Sequence, residues 1–550
     1  MNEIRLDTNL VDYAILAIYF VVVLGIGFAA RRYIKTSLDY FLSGRSLPAW
    51  ITGLAFISAN LGALELLGMA ANGAQFGYAT VHYYWIGAVP AMVFLGLVMM
   101  PFYYGSKVRS VPEYLRLRFG KPAHLFNALT FAFATVLIAG VNLYALALVL
   151  KLMLGWPILL GIVVAAAIVL AYITLGGLSS AIYNEVLQFF VILAALVPLV
   201  VVGVHSVGGW SGLKDKVAAT KGGDALLHSW QGTGIGHVTN PLDASWVPIV
   251  FGLGFVLSFG YWTTNFAEVQ RALSAKSLSA AQRTPLIGAF PKIFIPAITV
   301  IPGLVALVTI PGLGGDKPNM EYNNAIPLLI NEFLPNGMLG MALAGLLAAF
   351  MAGVAANVSA FNTVVTYDLW EPYVRSGRDD DYYVRVGRIA TISGILIGIL
   401  TALIASGYTN IMDYIQLLFS FFNAPLFATF IIGMFWKRVT AAAGFWGLVA
   451  GTAGAAVAHY GDTWGWFSLG SAQAAAFWGA IAAFLADALV TVIVTLVTES
   501  KPVSELQGLV YGMANTPEEH YASEDVWYRS PKLLGFGALG LTFVVSLFFI

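Results

Sequence analysis

Long apolar segments recur along the whole length of this 550-residue chain. An α-helix needs roughly 20 apolar residues to cross a bilayer. We therefore predict an all-α polytopic membrane protein with about 14 transmembrane helices, folded as one transmembrane domain over residues 1–550. The segment 326–368 is too long for one simple span, so we expect it to bend, tilt or extend beyond the bilayer. The predicted spans lie near residues 10–30, 49–76, 78–105, 124–150, 156–174, 181–205, 246–270, 284–311, 326–368, 386–406, 410–434, 440–460, 471–497 and 533–550.

The composition excludes several classes of protein. Hydrophobic residues make up 59% of the chain and charged residues 10%, whereas soluble domains carry about 25% charged residues. The formal net charge is zero, which gives no overall attraction to nucleic acid. The chain has no cysteine, so disulfides, thiolate nucleophiles and cysteine-based metal sites are ruled out. We expect a lipid bilayer around the protein and no nucleic-acid partner.

Basic residues concentrate in alternate loops, and this asymmetry predicts the orientation in the membrane. Cytoplasmic loops of membrane proteins carry an excess of Lys and Arg. We therefore predict a multi-pass protein of the cell membrane with cytoplasmic basic loops and both termini external. The polar stretch 499–532 is predicted to be a cytoplasmic linker with short amphipathic helices. The basic residues on the predicted cytoplasmic side are Arg31, Arg32, Lys35, Arg45, Lys107, Arg109, Arg116, Arg118, Lys121, Arg271, Lys276, Arg283, Arg375, Arg378, Arg385, Arg388, Lys437, Arg438, Lys501, Arg529 and Lys532.

One apolar segment carries polar residues at its centre, in the stretch SANLGALELLGM over residues 58–69. A carboxylate at membrane depth costs about 3 kcal/mol or more, which makes Glu65 a functional candidate. Glycines such as Gly62 let the helix unwind, and unwound backbone offers carbonyls to an ion or a solute. Ser58 and Asn60 add polar groups to the same stretch. The alternative is that Glu65 pairs with another polar group only to fix helix packing.

Other predicted spans are also interrupted by polar groups, notably in the stretches 258–276 and 413–425. Glu185 follows a Gly-Gly and Ser-Ser turn and opens the next span. Its carboxylate either complements the dipole at a helix N-terminus or has a functional role. Lys292 lies inside a predicted span, where it either snorkels to the cytoplasmic surface or contacts a solute.

Small residues recur at Gly345, Ala349 and Gly353. This spacing lets two helix backbones approach closely, and a backbone ion site on the same face is the alternative interpretation. The glycine-rich loop 206–245 has no strand before it, which disfavours a phosphate-binding loop. We expect solvated side chains for His237 in that loop and for His520. No Ser/His/Asp combination or metal cluster falls at one membrane depth, so we do not expect an enzyme.

Several blocks taken together resemble the sodium:solute symporter family, in its sodium/sugar cotransporter branch. DYFLSGRSLPAW, residues 39–50, is similar to the family's entry to its first core helix, and SANLGALELLGM is similar to its unwound ion-and-sugar helix. SVPEYLRLRFG, GGLSSAIYNEVLQFF and QRALSAKS match further family blocks in order and spacing. The resemblance covers nearly the whole chain.

The resemblance implies a LeuT-type fold. Two five-helix repeats, here about residues 49–205 and 246–434, are expected to be inverted relative to each other and accompanied by flanking helices. Solute and ion bind at the interface of the repeats in this architecture, near the membrane midplane. Each repeat begins with a polar, glycine-interrupted segment, residues 58–69 and 258–265, which agrees with the implied fold.

The resemblance also implies which side chains contact the solute. Tyr261 matches the family's inner gating aromatic residue, and Met69 and Tyr83 fall where outer-gate residues lie. The positions that match the family's polar solute contacts are Asn60, Lys292 and Gln416.

Three substrate positions depart from the family's sugar transporter. Its glutamine on the first core helix is Glu65 here, its glutamate on the second is Tyr84, and its asparagine before the gating tyrosine is Ser258. The sugar pose of the family is therefore not expected unchanged. Carboxylate, phenol and hydroxyl groups all bind sugar hydroxyls, so these three residues stay in the predicted substrate site.

For sodium, the resemblance implies the backbone carbonyls of Ser58, Leu61 and Ala349. The family adds two adjacent serine hydroxyls, and the alignment places Ala352 and Gly353 at those positions. Both hydroxyls are therefore missing. Hard cations require several oxygen ligands, so this predicted ion site is incomplete as it stands.

The expectation that follows is a secondary active transporter rather than an enzyme. We predict sodium-coupled symport of a small polar solute, a sugar or a sugar-like molecule, into the cell by alternating access, with Na+ as the coupling ion. Glu185 falls where the family has an aspartate along the sodium exit path and keeps the charge. The alternatives are a proton-coupled or uncoupled carrier that uses Glu65, and a membrane solute sensor of the same fold.

Overall fold

The computed structural model describes residues 7–30, 32, 35–106, 108–315, 320–513 and 527–549. Within these residues, eleven helices are long and apolar enough to cross a membrane. Two further spans, each a pair of helices bent at a short break, bring the number to thirteen. The eleven helices are Leu10–Ala30, Tyr83–Tyr104, Lys121–Leu152, Gly177–Ser206, Leu278–Thr309, Met338–Tyr373, Asp380–Ala405, Ile411–Phe435, Ala441–Thr463, Ala472–Val497 and Pro531–Phe549.

The predicted all-α membrane architecture is confirmed, but the predicted count of about 14 spans is not. The predicted span 156–174 corresponds to a shorter apolar helix, Ile158–Ala171. The chain then turns sharply at Gly177, where φ is 53° and ψ is −152°. A Cβ atom at this position would lie 2.6 Å from the backbone oxygen of Tyr40. Glycine is therefore required here by both the backbone conformation and the close contact.

The long apolar segment 326–368 forms two helices instead of one bent or tilted span. They are Ala325–Phe333 and Met338–Tyr373. Between them lies a short Leu-Pro-Asn-Gly connection. Pro335 has no backbone N–H to continue the helical hydrogen bonds, and Gly337 has a φ of 88°. The break is thus explained by local sequence chemistry that hydropathy alone does not record.

The helix Met338–Tyr373 lies in the middle of the bundle. Almost all of the residues in its α-helical part are buried. Gly345 approaches another helix so closely that a Cβ atom would lie 2.2 Å from that of Ala195. The close packing predicted from the small residues is therefore confirmed. The helices that pack against it include Ala49–Asn60, Lys121–Leu154 and Ile158–Ser206.

The segments outside the spans contain short elements. The glycine-rich loop 206–245 contains a small antiparallel hairpin in which Thr233–Gly234 pairs with His237–Val238, and His237 is exposed as predicted. Residues 514–526 of the predicted linker, including His520, lie outside the described residues. Short helices outside the spans include Ser37–Leu42, Val111–Phe119 and Gly209–Ala218. The 3-10 turns there include Val503–Leu506 and Trp527–Arg529.

Two basic residues that we assigned to cytoplasmic loops are instead buried on helices. Arg118 and Arg271 are both 0% exposed. The Arg118 guanidinium donates to three backbone carbonyls within residues 433–439. Arg271 lies on the helix Phe266–Leu273. A count of charges along the sequence therefore overstates the solvent-exposed charge on that side of the protein.

Candidate functional site

The first broken helix consists of Ala49–Asn60 and Leu64–Val81, which meet at an angle of 56°. The glycine-dependent interruption predicted for this segment is present. Gly62 lies within the break, and a Cβ atom there would be 2.6 Å from the side-chain oxygen of Asn142. Only a residue without a side chain allows this close approach between the break and a neighbouring helix.

The break is stabilised by a side chain from elsewhere in the chain. The backbone N–H of Ala63 donates to Oδ1 of Asn142 at 2.9 Å. In a continuous α-helix this N–H would donate to the carbonyl of Ala59, four residues earlier. The Asn142 side chain therefore takes the place of the Ala59 carbonyl as acceptor for Ala63. The Ala59 carbonyl is left without this helical donor.

The second broken helix consists of Pro248–Thr264 and Phe266–Leu273, which meet at 48°. Asn265 lies between the two halves. Its N–H donates to the carbonyl of Tyr261 at 3.1 Å, and its side-chain oxygen accepts from the N–H of Ala267 at 3.0 Å. Asn265 is thus the N-cap of the second half and closes this break with its own side chain.

A cavity of about 70 Å³ lies between the two broken helices. That volume accommodates several water molecules or a small solute. Every residue that the sequence assigned to solute contact or gating lines this cavity, although the positions are spread along most of the chain. These residues are Asn60, Glu65, Met69, Tyr83, Tyr84, Ser258, Tyr261, Lys292 and Gln416.

An ion pair between buried Lys292 and partly buried Glu65 forms part of the cavity wall. Lys292 Nζ donates to Oε1 of Glu65 at 2.5 Å and also to Oδ1 of Asn60. The Tyr84 hydroxyl donates to Oε2 of Glu65 at 2.8 Å. Lys292 is 1% exposed, so the interpretation that it snorkels to the surface is wrong. Glu65 pairs with another polar group, as the packing interpretation required, and also lines the cavity, as the functional one required.

Tyr261 joins the two broken helices at the first break. Its hydroxyl accepts from Nδ2 of Asn60 at 3.0 Å and donates to Oε1 of Glu268 at 2.7 Å. Its ring lies 4.9 Å from that of Phe419 and 5.2 Å from that of Trp262, measured between centroids. The side chain is therefore fixed at both its ring and its hydroxyl.

The predicted outer-gate residue Tyr83 belongs to a polar network that sequence reasoning missed. Its hydroxyl donates to Oε1 of Gln473 at 2.6 Å. The amide nitrogen of Gln473 in turn donates to Asn72 at 2.6 Å and to Asp413 at 3.0 Å. The four residues lie on four different helical segments, so no local motif in the sequence records the network.

Gln416 offers an open hydrogen-bond acceptor in the cavity wall. Its Oε1 atom is buried and has no hydrogen-bond partner within the described part of the chain. Ser258, which also lines the cavity, donates its hydroxyl hydrogen bond to the carbonyl of Leu253 at 2.7 Å. A ligand that donates from a hydroxyl group would satisfy the Gln416 oxygen.

Comparison with known proteins identifies the family. The sequence model of the sodium:solute symporter family matches residues 40–451. The chain belongs to the sodium:solute symporter family. It is similar to the sodium/glucose cotransporter of Vibrio parahaemolyticus, with 29% identity over 472 residues that cover 82% of this chain and 85% of that protein. It is 30% identical to the Homo sapiens sodium/myo-inositol cotransporter 2 over 466 residues, which cover 80% of this chain and 68% of that protein.

Solved structures show the same fold. A Na+-coupled sialic acid symporter in a substrate-bound, outward-open state has a TM-score of 0.75 at 20% identity, and the match covers 90% of this chain and all of that one. The nucleobase-cation-symport-1 family transporter MHP1, closed on bromovinylhydantoin, has a TM-score of 0.52 at 15% identity and covers 86% of this chain and 97% of that one. The LeuT-type fold is confirmed, and the family is one of transporters, not enzymes.

The ion residues implied by the family resemblance lie where the first broken helix meets Met338–Tyr373. All five are buried, and the Ser58 hydroxyl has no hydrogen-bond partner in the described structure. A Cβ atom on Gly353 would lie 2.2 Å from Oδ1 of Asn142. The amide of Asn142 therefore stands beside one of the two positions that lack the family's serine. The five residues are Ser58, Leu61, Ala349, Ala352 and Gly353.

A second, smaller cavity of about 10 Å³ lies beside the breaks. Tyr261 and Asn60 line both cavities. Three further polar residues that line the smaller cavity, Asn142, Glu268 and Asn357, were not among the predicted site residues. Their position within predicted spans could have identified them, because a polar or charged side chain inside a membrane span is a candidate functional residue.

Glu185 forms a buried ion pair with Arg271. Its two carboxylate oxygens accept from the guanidinium at 2.5 and 3.2 Å, and both side chains are 0% exposed. Glu185 lies well beyond the first turn of the helix Gly177–Ser206. Its interpretation as an N-terminal helix charge is therefore wrong, because helix dipole effects act within the first turn.

Proposed function

We propose that this protein is a secondary active transporter that imports a small polar solute together with sodium by alternating access. The observation that carries the proposal is the polar cavity between two broken helices. In transporters built this way, unwound backbone and helix ends bind the solute and the ion near the midplane. Membership of the sodium:solute symporter family supports the same activity.

A hydroxylated solute suits the cavity chemistry. The wall contains a carboxylate–ammonium pair, Glu65 and Lys292, and an open amide oxygen on Gln416. Hydroxyl groups both donate and accept hydrogen bonds, so they match such a mixed wall. The names of two relatives, a glucose and a myo-inositol cotransporter, point to the same class of solute. We propose that Asn60, Tyr84 and Ser258 complete the site.

The gates of the proposed transport cycle are aromatic or flexible side chains. Tyr261 is the inner gate, because its ring lines both the solute cavity and the smaller one beside the breaks. Met69 and Tyr83 form the outer gate, and the hydrogen bond from Tyr83 to Gln473 must open for solute to enter. Closure of both gates excludes water from the bound solute.

Sodium is the proposed coupling ion, supported by the family and by the names of the relatives. The backbone carbonyls of Ser58, Leu61 and Ala349 are family-implied ligands, but the neighbouring Ala352 and Gly353 supply no hydroxyl. Glu185 lies on the proposed exit path of the ion. Its ion pair with Arg271 would have to rearrange for a cation to pass.

The arrangement of repeats and the orientation are part of the proposal. The two broken helices stand at the start of the segments 49–205 and 246–434, as inverted five-helix repeats require. We propose that the protein resides in the cell membrane with cytoplasmic basic loops and that both termini are external. Two external termini require an even number of crossings, so the proposal counts the shorter apolar helix Ile158–Ala171 as a crossing in addition to the thirteen spans. The positive-inside distribution of Lys and Arg supports this orientation.

Uptake into proteoliposomes tests the function directly. Purified protein is reconstituted, and uptake of radiolabelled D-glucose and myo-inositol is measured under an inward sodium gradient. An equal potassium gradient and an inward proton gradient serve as matched controls. Accumulation driven only by sodium supports symport. Uptake driven by protons, or equilibration without any gradient, establishes the alternative carriers, and binding without uptake establishes a sensor.

Variants of the solute cavity test its location. Gln416→Ala removes the open acceptor and is expected to cost about 1–3 kcal/mol of solute binding. Tyr261→Ala removes the ring that covers the solute and is expected to weaken retention. Gln188→Ala is the matched control, since Gln188 is buried and contacts Tyr19. Unchanged affinity and uptake in both cavity variants would place the solute elsewhere.

Glu65→Gln separates a solute role from a coupling role. The contacts of Glu65 with Lys292 and Tyr84 lie in the solute cavity, so we expect a changed solute preference and a retained sodium dependence. Uptake is measured against sodium concentration and against pH for wild type and variant. Loss of sodium dependence with an unchanged solute profile would assign Glu65 to coupling.

The cysteine-free sequence allows a direct test of orientation. Ser376→Cys introduces a thiol into a basic loop, and Ile235→Cys introduces one into the exposed hairpin. An impermeant maleimide added to intact cells should label position 235 and should label position 376 only after permeabilisation. The reverse pattern would invert the proposed orientation.

A further inference from the structure

We propose that the coupling sodium ion binds in the small cavity beside the breaks, with Glu268, Asn357 and Asn142 as side-chain ligands. The inference rests on the proposed sodium coupling and gives the ion a site that differs from the one implied by the family resemblance. The cavity volume is about 10 Å³, close to the minimum that holds one water molecule. One small cation without its hydration waters fits this space.

Two buried oxygen atoms in this cavity lack hydrogen-bond donors. Within the described residues, Oε2 of Glu268 and Oδ1 of Asn357 have no partner. Their side chains belong to residues that are only 3% and 7% exposed. A buried acceptor without a partner is costly, and folded proteins contain few of them. Two such oxygens on one cavity point to a ligand that coordinates oxygen.

The charge balance of the interior points to a cation. Three carboxylates lie close to the breaks, and two of them have ion-pair partners, Glu65 with Lys292 and Glu185 with Arg271. In the part of the chain that the structure describes, no ion pair uses Glu268. Its carboxylate accepts one hydrogen bond, from Tyr261. A buried charge without a counter-charge is strongly destabilising, and a bound monovalent cation would supply the counter-charge.

The remaining ligands are neutral oxygens at the first break. Oδ1 of Asn142 accepts one hydrogen bond from Ala63 and has a second lone pair for a cation. The Ala59 carbonyl has lost the Ala63 donor, and Ala59 lines the same cavity. With one carboxylate and three neutral oxygens the site carries a single negative charge. Divalent sites recruit more carboxylates, so the set suits sodium.

The position of Asn142 is the reason why we do not place the ion beside Ala352 and Gly353, where the family has serines. A serine at residue 353 would place its Cβ 2.2 Å from Oδ1 of Asn142. The amide and a side chain at residue 353 therefore exclude each other in this packing. In our proposal the amide oxygen takes the role of the absent hydroxyl, and the ion shifts towards Glu268.

The proposed site is linked mechanically to the inner gate. One oxygen of the Glu268 carboxylate accepts a hydrogen bond from the Tyr261 hydroxyl at 2.7 Å. The other oxygen is the proposed sodium ligand. A bound ion fixes the carboxylate, and the carboxylate then holds the ring that separates the two cavities. Departure of sodium releases the carboxylate and Tyr261 together. Sodium binding and solute retention are thereby coupled through one residue.

Sodium binding to the purified full-length protein tests this site without transport. Binding of radioactive sodium is measured in detergent by competition with unlabelled NaCl, at constant ionic strength with KCl. We expect Glu268→Gln to weaken the apparent affinity at least about tenfold, because it removes the only charged ligand. Asn357→Ala should weaken it by about threefold or more, since one neutral oxygen is lost.

Matched controls exist for both variants. Asp487→Asn changes a buried carboxylate that accepts from Thr429 and Thr491, away from both cavities. Asn362→Ala removes a buried amide from the same helix as Asn357, where it donates to Thr391. Both controls should keep the wild-type sodium affinity. Glu268→Asp keeps the charge and should retain more affinity than Glu268→Gln, which separates loss of the ligand from loss of folding.

The outcomes decide between the sites. Wild-type sodium affinity in both Glu268→Gln and Asn357→Ala overturns the proposed site. Tighter sodium binding in Ala352→Ser, together with unchanged sodium binding in Glu268→Gln, also overturns the proposed site. That result would place the ion at the position implied by the family. Absence of sodium binding to the wild-type protein, with and without D-glucose or myo-inositol, overturns the site and sodium coupling together.

Discussion

The two broken helices bend by similar angles, 56° and 48°, yet their breaks are stabilised by different means. The second break is closed by Asn265, which lies within it and caps the helix that follows. The first break has no such cap. The buried N–H of Ala63, which has no helical acceptor, donates instead to Asn142, 79 positions further along the chain.

The carboxylates beside the two breaks also differ in whether another helix supplies a partner of opposite charge. After the first break, Glu65 is neutralised by Lys292 on another helix. After the second break, Glu268 has no ion-pair partner among the described residues and instead accepts the Tyr261 hydroxyl. The first break therefore depends on the surrounding helices for both its hydrogen bond and its charge balance. The second is closed by its own residue Asn265, and one oxygen of the nearby Glu268 carboxylate has no hydrogen-bond partner among the described residues.

The largest expected effect comes from the charge beside the first break. Lys292→Met leaves Glu65, whose side chain is only 13% exposed, without its cation, which should cost about 3–5 kcal/mol of stability. The readout is the apparent unfolding temperature in detergent with KCl. Arg109→Met is the control, because the Arg109–Glu371 pair is partly exposed and such pairs contribute about 0–1 kcal/mol. Equal effects in the two variants would contradict the assigned importance of the buried pair.

The hydrogen bond across the first break should be the next largest contribution. Asn142→Ala leaves the Ala63 N–H buried without an acceptor, at a cost of about 1–3 kcal/mol. Thermal unfolding is again followed in KCl, so that sodium binding does not enter the result. A neutral outcome would show that the break remains stable without support from another helix.

The cap of the second break is expected to contribute less. Asn265→Ala removes an N-cap side chain and should cost about 0.5–2 kcal/mol, whereas Asn265→Ser keeps a capping oxygen and should restore most of the loss. Unfolding temperatures of the two variants are compared with that of Asn142→Ala. If Asn265→Ala is the more damaging change, the contrast between the two breaks is wrong.

The smallest expected effect concerns the hydroxyl that joins the breaks. Tyr261→Phe keeps the ring beside Phe419 and loses the hydrogen bonds to Asn60 and Glu268. A net loss of about 0.5–1.5 kcal/mol is expected, together with a measurable change in apparent sodium affinity. An unchanged sodium affinity in this variant would show that Tyr261, the proposed inner gate, is not coupled to the proposed ion site.

The sequence predicted the membrane class and the residues that line the larger cavity, which we propose as the solute site. Apolar run length predicts a spanning helix directly, because a span has one length scale and few charges. The polar residues inside those runs singled out Glu65 and Lys292, and the family resemblance predicted solute contact for Lys292 and Gln416. Hydropathy did not separate Ala325–Phe333 from Met338–Tyr373, because both sides of that break are equally apolar and only the Pro-Asn-Gly connection marks it.

Tertiary structure alone decided which polar groups face each other. Lys292 reaches Glu65 across 227 positions of sequence, and Arg271 reaches Glu185 across 86. Helix periodicity states which residues share a face, but it does not state which two faces meet. The same limit applies to Asn142, whose contact with Ala63 and with the backbone at Gly353 exists only once three helices have packed. That Glu268 lacks an ion-pair partner among the described residues becomes visible only once the pairs Glu65–Lys292 and Glu185–Arg271 are in place beside it.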